Sequence, residues 1–202
     1  AWAIEDGPAI ASLRIKSVSK NGGDVRIDAE PEWEIGTVRQ RGGITLFQRT
    51  FCASSVMSRW TDGLHYEDIP TPGINPTCPI PVGKDVVFIG WRSNRLPEIY
   101  RWHNGQVTQM SHQNDELFAT YEFSMPEPLC VMDGADKICG WVMKPVGYEP
   151  GKKYPGILNT HGGPHGAFND SFICEHQRWA NEGYFVFFCN PRGSTTYGVE
   201  FM

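Results

Sequence analysis

The sequence predicts a two-part chain: a β-rich repeat over residues 1–124 and the opening of an α/β fold over 125–202. Three observations predict it. Arg59-Trp60-Thr61-Asp62-Gly63 recurs as Arg101-Trp102-His103-Asn104-Gly105, 42 residues on (101 − 59), and Val18-Ser19-Lys20-Asn21-Gly22 is a fainter copy 41 residues earlier (59 − 18). Tyr154–Gly198 alternates a short apolar run, a glycine-rich loop, an amphipathic segment and a second apolar run. Between the two lies Met125-Pro126-Glu127-Pro128, which breaks the pattern.

In the first part, Asp-Gly and Asn-Gly between β-rich runs are strong two-residue hairpin signals, because both central positions of such turns require positive φ. The runs Ile10–Val18, Gly43–Thr50, Ser55–Trp60, Val86–Trp91 and Glu98–Trp102 read as strands around those turns. A period near 40 residues with several strands per unit is the pattern of propeller blades. The fold class is therefore a partial β-propeller of about three blades, followed by the N-terminal part of an α/β domain. Three blades fall short of the usual ring of 4–8, so further blades are expected before Ala1. Trp33, Trp60, Trp91 and Trp102 fit the cores of these units. Pro70–Pro81 reads as a loop between blades, and Ser111–Thr120 as a polar approach to the junction.

In the second part, Leu129–Met132 and Lys137–Met143 flank Asp133-Gly134, a hairpin expected at the antiparallel edge of a sheet. Gly156-Ile157-Leu158 suits a buried parallel strand. Phe172, Ile173, His176, Trp179 and Ala180 then recur at helical spacing across Ser171–Glu182. Asp170 or Ser171 can cap the start of that helix and Gly183 suits the position past its end. Tyr184–Cys189 is a strand apolar on both faces. Strand, loop, helix, strand is a βαβ crossover. Its carboxyl-end loops, His161–Gly166 and Asn190–Gly198, sit where α/β sheets bind ligands.

The loop His161-Gly162-Gly163-Pro164-His165-Gly166 carries the candidate chemistry. A His-Gly-Gly loop after a strand of an α/β-hydrolase supplies a backbone N–H to an oxyanion hole. The backbone must come within about 3 Å of the developing charge, which glycine permits at a close approach. Gly163 is the candidate donor, and Pro164 stiffens the loop around it. His161 and His165 are four apart, but Gly162-Gly163-Pro164 between them forbids the helix a metal pair needs; no metal site is expected. Ser194 has a glycine before it but lacks the G-x-S-x-G elbow of a nucleophile.

With HGGPHG (161–166), EGYFVFFCNPRGSTTYG (182–198) and GWVMKPVGYEPGKKYPGIL (140–158), the chain resembles the prolyl oligopeptidase family of serine peptidases. The likeness lies nearest the acylaminoacyl-peptidase and dipeptidyl-peptidase-like branch, and it covers about residues 126–202. The resemblance implies an N-terminal propeller joined to an α/β-hydrolase domain with a Ser-Asp-His triad. It implies short peptides as substrates, no cofactor, and entry restricted by the propeller. Relatives outside this branch carry a tyrosine at the place of His161, so His161 is read as holding the loop through its ring. Arg192 and Tyr197, in the loop after the Tyr184 strand, are candidate binding residues. Arg192 is expected as a buried charge on loop carbonyls at the floor of the site, and Tyr197 packed or bonded nearby.

No serine here lies in a nucleophile elbow, and the triad is expected beyond Met202, so the 202 residues alone are expected to be inactive. Two readings compete with the peptidase: a non-catalytic propeller scaffold carrying a degenerate hydrolase half, and an esterase on the same fold.

A net charge of −5 without runs of like charge argues against a nucleic-acid surface. No apolar run approaches the ~20 residues of a membrane span. Six cysteines without a C-x-x-C read as reduced structural thiols, which favours a cytoplasmic setting. Whether the protein forms a homo-oligomer stays open.

Overall fold

The computed structural model describes residues 2–6, 13–18, 21–24, 26–29, 34–62, 65–93, 95–163, 166–198 and 200–202. Ile10, Trp33, Gly63, Pro164, His165 and the Ser19-Lys20 part of the third repeat copy lie outside them. The chain is mostly β. β1 (Trp2–Asp6), β2 (Leu13–Ser17) and β3 (Arg26–Ala29) form a three-stranded antiparallel sheet. A four-stranded meander follows: β4 (Glu34–Arg41), β5 (Ile44–Phe51), β6 (Ser54–Asp62) and β7 (His65–Ile69). The next meander repeats it with β8 (Asn75–Val82), β9 (Asp85–Arg92), β10 (Arg95–His103) and β11 (Gln106–Gln109).

In the two four-stranded sheets each strand pairs with the next in sequence, so the repeat in the sequence is a repeat of meanders. The Asn104-Gly105 turn joins β10 to β11 with φ of 47° and 84°, the mirror-image turn that the dipeptide favours. β8 lies against β4, β5 and β6 of the preceding sheet. The shared core is Leu46, Met57 and Ile69 from one sheet and Ile74, Val86, Phe88 and Tyr100 from the other. Burying one side chain of this size contributes about 1.5–3 kcal/mol. Gly90 is part of this packing, because a Cβ there would run into Ile74 and Tyr100.

Two proline-bearing stretches correct the sequence reading. Asn75–Val82 is a strand and not a loop, with Pro76, Pro79 and Pro81 inside it. β8 is an edge strand, its ladder shifts register between Thr77 and Ile80, and Cys78 takes φ 49° there. Proline is tolerated at an edge and at a bulge, where a missing N–H leaves no partner unmatched. Pro126 and Pro128 likewise begin a strand at a sheet edge. The polar stretch before it holds a short helix, α1 (Asp115–Thr120), too brief to show a periodic face in sequence.

The second part is a mixed sheet. β12 (Pro126–Asp133) and β13 (Asp136–Met143) form the expected hairpin at one edge, and Gly134 turns it with φ 65°. β14 (Gly156–Asn159) connects through α2 (Cys174–Asn181) to β15 (Phe185–Asn190). β15 enters between its neighbours, antiparallel to β13 and parallel to β14. α2 starts at Cys174, later than its periodicity suggests, and Ile173 stands at its cap position without a side-chain bond. Asp170 and Ser171 do not cap it; the Asp170 amide and carbonyl are engaged elsewhere, by Ala53 and Asn75. His176, Gln177 and Ala180 are its buried residues, and Gly183 follows it at φ 93°.

Cys130 and Cys139 stand opposite each other in the β12–β13 register and form a disulfide, with Cα atoms 4.2 Å apart. The expectation of six reduced thiols fails for this pair. Cross-strand pairing brings together cysteines whose sequence spacing has no redox or metal signature. The cysteine argument for a cytoplasmic setting loses these two thiols.

Candidate active site

β14 and β15 run parallel, so the loops after them leave the same end of the sheet. The structure fastens these loops to each other. The Thr195 amide donates to the Gly166 carbonyl at 3.0 Å. Gly166 is sterically required, since a Cβ there would lie 2.6 Å from the Gly162 carbonyl oxygen. Gly162 is not: a Cβ built on it meets nothing within 4 Å. Gly163 is exposed.

His161 holds its loop from one side. Its Nε2 lies 2.9 Å from the Ser194 hydroxyl, which itself donates to the Pro191 carbonyl at 2.6 Å. The hydroxyl has one proton, so its lone pair accepts from Nε2–H. This serine–histidine contact has the spacing of a catalytic pair but not its setting. Ser194 is 0% exposed, and its hydroxyl proton is committed to a backbone carbonyl. His161 Nδ1 faces the Gly162 carbonyl at 3.3 Å, and no carboxylate orients the ring among the described residues. The ring also packs edge-on against Phe168.

Asn190, at the end of β15, holds the loop from the other side. It is 0% exposed; its Oδ1 accepts from the Phe168 amide at 2.7 Å and its Nδ2 donates to the Phe168 carbonyl at 3.0 Å. The same Nδ2 lies 3.1 Å from the Tyr197 hydroxyl. Asn190 thus satisfies both backbone groups of a loop residue that has no ladder to join. Burial pushes the Tyr197 hydroxyl pKa above its ordinary value, although the Asn190 bond opposes the shift. Tyr197 stays neutral and packs on Phe201.

His176 lies beneath the site, 1% exposed, with Nε2 2.7 Å from the Asn159 amide and its ring against Phe188, Phe168 and Trp179. Burial pushes its pKa down to about 4, so it is neutral at pH 7. Its Nδ1 is buried without a partner among the described residues.

Arg192 corrects the sequence reading. It is half-exposed, paired with Asp133 and Asp136 and donating to the Asp133 carbonyl. It bolts the loop after β15 to the tip of the β12–β13 hairpin instead of lying under the site. Those carboxylates raise its already high pKa further. The sequence reading passed over Asn190 and Thr196, named Ser194 only to reject it as a nucleophile, and placed His176 on the helix face without a partner. The signal was a polar residue closing an apolar strand, or falling on an apolar helix face, where burial obliges it to find a partner.

The meanders reach this site through one turn. Cys52 and Ala53, between β5 and β6, take φ of 44° and 67°. Positive φ at non-glycine residues costs about 1–3 kcal/mol each and persists where surroundings impose it. Here the Cys52 amide donates to the Thr196 carbonyl at 2.9 Å and the Ala53 amide to the Thr196 hydroxyl at 3.3 Å. Asp170 N–H donates to the Ala53 carbonyl at 3.0 Å, and Asn75 Nδ2 to the Asp170 carbonyl at 3.1 Å. Thr196 is itself at φ 72°. Phe118, Phe123 and Phe172 make a second aromatic bridge between the two parts, with centroids 4.9–5.5 Å apart.

Among the described residues no three His, Cys, Asp or Glu side chains cluster as metal ligands, and no helix is long and apolar enough to cross a membrane.

No family model matches the chain. Its sequence relatives are peptidases. Over 114 residues it is 38% identical to the "Uncharacterized peptidase YuxL" of Bacillus subtilis, covering 55% of this chain and 17% of that protein. Over 112 residues it is 42% identical to dipeptidyl-peptidase 5 of Trichophyton equinum, covering 49% of this chain and 15% of the relative. Its fold is that of acylaminoacyl peptidases. The Pyrococcus horikoshii enzyme matches 99% of this chain with TM-score 0.84 and 24% identity, over 32% of that enzyme's chain. An acylaminoacyl peptidase solved in complex with Z-Gly-Gly-Phe-chloromethyl ketone matches 99% of this chain with TM-score 0.85 and 23% identity, over 32% of its own. The chain therefore spans less than a fifth of the curated relatives it matches and about a third of those solved structures. The likeness to peptidases of the prolyl oligopeptidase family, first suggested by residues 126–202, holds in these comparisons.

Proposed function

We propose that the chain is part of a serine-type peptidase that hydrolyses short peptides by acyl transfer, and that it supplies the oxyanion loop. In this reading β1–β11, within residues 1–124, are blades of a propeller, and β12–β15, within 125–202, begin an α/β-hydrolase domain. The observation that carries it is the double fastening of the loop: Ser194 holds His161 on one side, and Asn190 and Thr195 hold Phe168 and Gly166 on the other. Gly163 stays exposed between these anchors. An amide held rigid before charge develops is what oxyanion stabilisation requires. The serine, aspartate and histidine would come from other residues of the full-length protein. His161 shapes this loop; Tyr197 and Arg192 steady the neighbouring loop after β15, Arg192 from the hairpin.

Fluorophosphonate labelling of the full-length protein tests the reading. A single labelled serine outside 1–202 is expected, and absence of labelling overturns it. Gly163→Pro, which removes the amide hydrogen and also fixes the local φ, is expected to lower kcat by at least about 10²–10³-fold, the usual cost of one oxyanion donor. Far-ultraviolet circular dichroism of the variant checks that the fold survives.

A further inference from the structure

A cavity of about 450 Å³ lies between the third antiparallel sheet and α1, and its walls include Arg92, Arg95, Glu98, Tyr100, Asn114 and Phe118. Its volume is within the range of small-ligand sites. Arg92 and Arg95 face each other directly across the β9–β10 hairpin. Like charges in that relation are destabilising, and neither arginine has an ion-pair partner among the described residues. The Arg95 guanidinium carbon lies over the Phe118 ring, 4.3 Å from its centroid.

The carboxylates on the wall are already committed. Glu98 is 6% exposed and accepts from the Ser111 hydroxyl, the Asn114 amide at 2.9 Å and the Asn114 side chain at 2.8 Å. Burial alone would raise its pKa, yet these bonds outweigh it and hold the group ionised. Asp115 is bound to His112 at 2.9 Å. The cavity thus holds two carboxylates whose oxygens are already bonded to neighbouring groups, and two guanidinium groups that form no ion pair among the described residues.

Its position matters. The Cys52-Ala53 turn joins the second and third strands of its sheet and touches Asp170 and Thr196. Arg92 and Arg95 end the second strand and begin the third strand of the next sheet, the corresponding place in its strand order. Phe118, on the cavity wall, packs edge-on against Phe172, two residues after Asp170. Through Phe118 the cavity wall is in contact with the second part of the chain, in the segment that leads from the glycine-rich loop to α2.

We propose that Arg92 and Arg95 form a carboxylate-binding subsite that anchors peptide substrates, taking either the free C-terminal carboxylate or an acidic side chain. Guanidinium groups suit this ligand because their N–H pairs match both carboxylate oxygens. The proposal rests on the peptidase reading, and its test separates the two. Short peptides of graded length are compared as matched pairs, with a free C-terminal carboxylate or a C-terminal amide, using the full-length protein. A third series carries an acidic side chain in an amide-capped peptide. Wild type is expected to favour the carboxylate form about 10–100-fold in kcat/KM, the worth of hydrogen bonds to a charged group. In the Arg92→Gln/Arg95→Gln variant the ratio is expected to fall toward one, and Arg95→Lys, which keeps the charge but not the fork, is expected to fall between.

Preference for the free C-terminus or for the acidic side chain identifies the source of the carboxylate and supports the subsite. Equal turnover of acid and amide in both series, or a preference that survives in the double variant, overturns it and leaves the peptidase reading intact. If no peptide is turned over, calorimetric titration with the same acid and amide peptides decides: selective binding lost in the double variant keeps the subsite while the peptidase reading fails, and no selectivity overturns it.

Discussion

The antiparallel meanders and the mixed sheet bury their apolar residues in different ways. In the meanders, neighbouring sheets supply each other's cover: Leu46 and Met57 of one meet Phe88 and Tyr100 of the next, and all are nearly inaccessible. The mixed sheet is covered on one face by α2, with Met143, Ala180, Val186 and Phe188 buried there. Its other face leaves Leu129, Val131, Leu158 and Phe187 exposed around a shallow apolar hollow. Pairing differs too. Meander strands pair with sequence neighbours, whereas β15 pairs with β13 across more than 40 residues. Local pairing is legible in sequence and is cheap in loop-closure entropy; non-local pairing is neither. The candidate site sits in the second kind of region, where a few buried polar side chains hold loops that no ladder holds.

The largest expected effect tests whether the two cores are equally close-packed. Phe47→Ala and Phe188→Ala, in the full-length protein, are each expected to lower stability by about 3–5 kcal/mol. Their neighbours do not overlap, so urea unfolding of the double variant should show the two losses adding within about 0.5 kcal/mol.

A charge effect then separates the regions. His176 is neutral and buried in the mixed sheet, with a pKa held down to about 4. Its folded pKa lies below the ordinary value near 6.5, so the unfolded chain binds the proton more readily. Stability from this residue is therefore complete above about pH 6.5 and is lost as pH falls toward 4, by about 3 kcal/mol in all. Unfolding midpoints measured from pH 7 to pH 4 should show this decline, and His176→Phe should flatten it.

Glycine substitutions sharpen the contrast at about 1–3 kcal/mol. A Cβ at Gly90 collides with the side chains of Ile74 and Tyr100, which can shift. At Gly140 it collides with the Phe188 carbonyl and the Cys189 backbone, which cannot shift without breaking the β13–β15 ladder. Gly140→Ala is expected to cost more than Gly90→Ala by thermal unfolding. The smallest effect is Arg178→Ala, which removes an exposed pair with Glu182 on α2 and should change the midpoint by no more than about 0.5 kcal/mol allows.

What the sequence revealed follows the same division. The Asn104-Gly105 turn, the Asp133-Gly134 hairpin and the order strand, loop, helix, strand were legible because each has a local chemical requirement. Pro76, Pro79 and Pro81 misled, because proline signals a loop unless the strand is known to be an edge, and edges are set by the whole sheet. The glycine-rich loop was legible as a candidate site, but its supports were not. Nothing near Asn190 in sequence tells that it grips Phe168, and nothing near Arg192 tells that Asp133 and Asp136 draw it outward. The disulfide escaped notice because register, not spacing, brings Cys130 to Cys139.

The Cys52-Ala53 turn has a bearing on how such a molecule can be rebuilt. Its left-handed backbone is matched to Thr196 and Asp170 on the other half, group for group. A chimera that imports the meanders from one relative and the mixed sheet from another would misalign that handshake unless residues 52–53, 170 and 196 travel together. Grafting these four positions as a unit is the design rule the contact dictates.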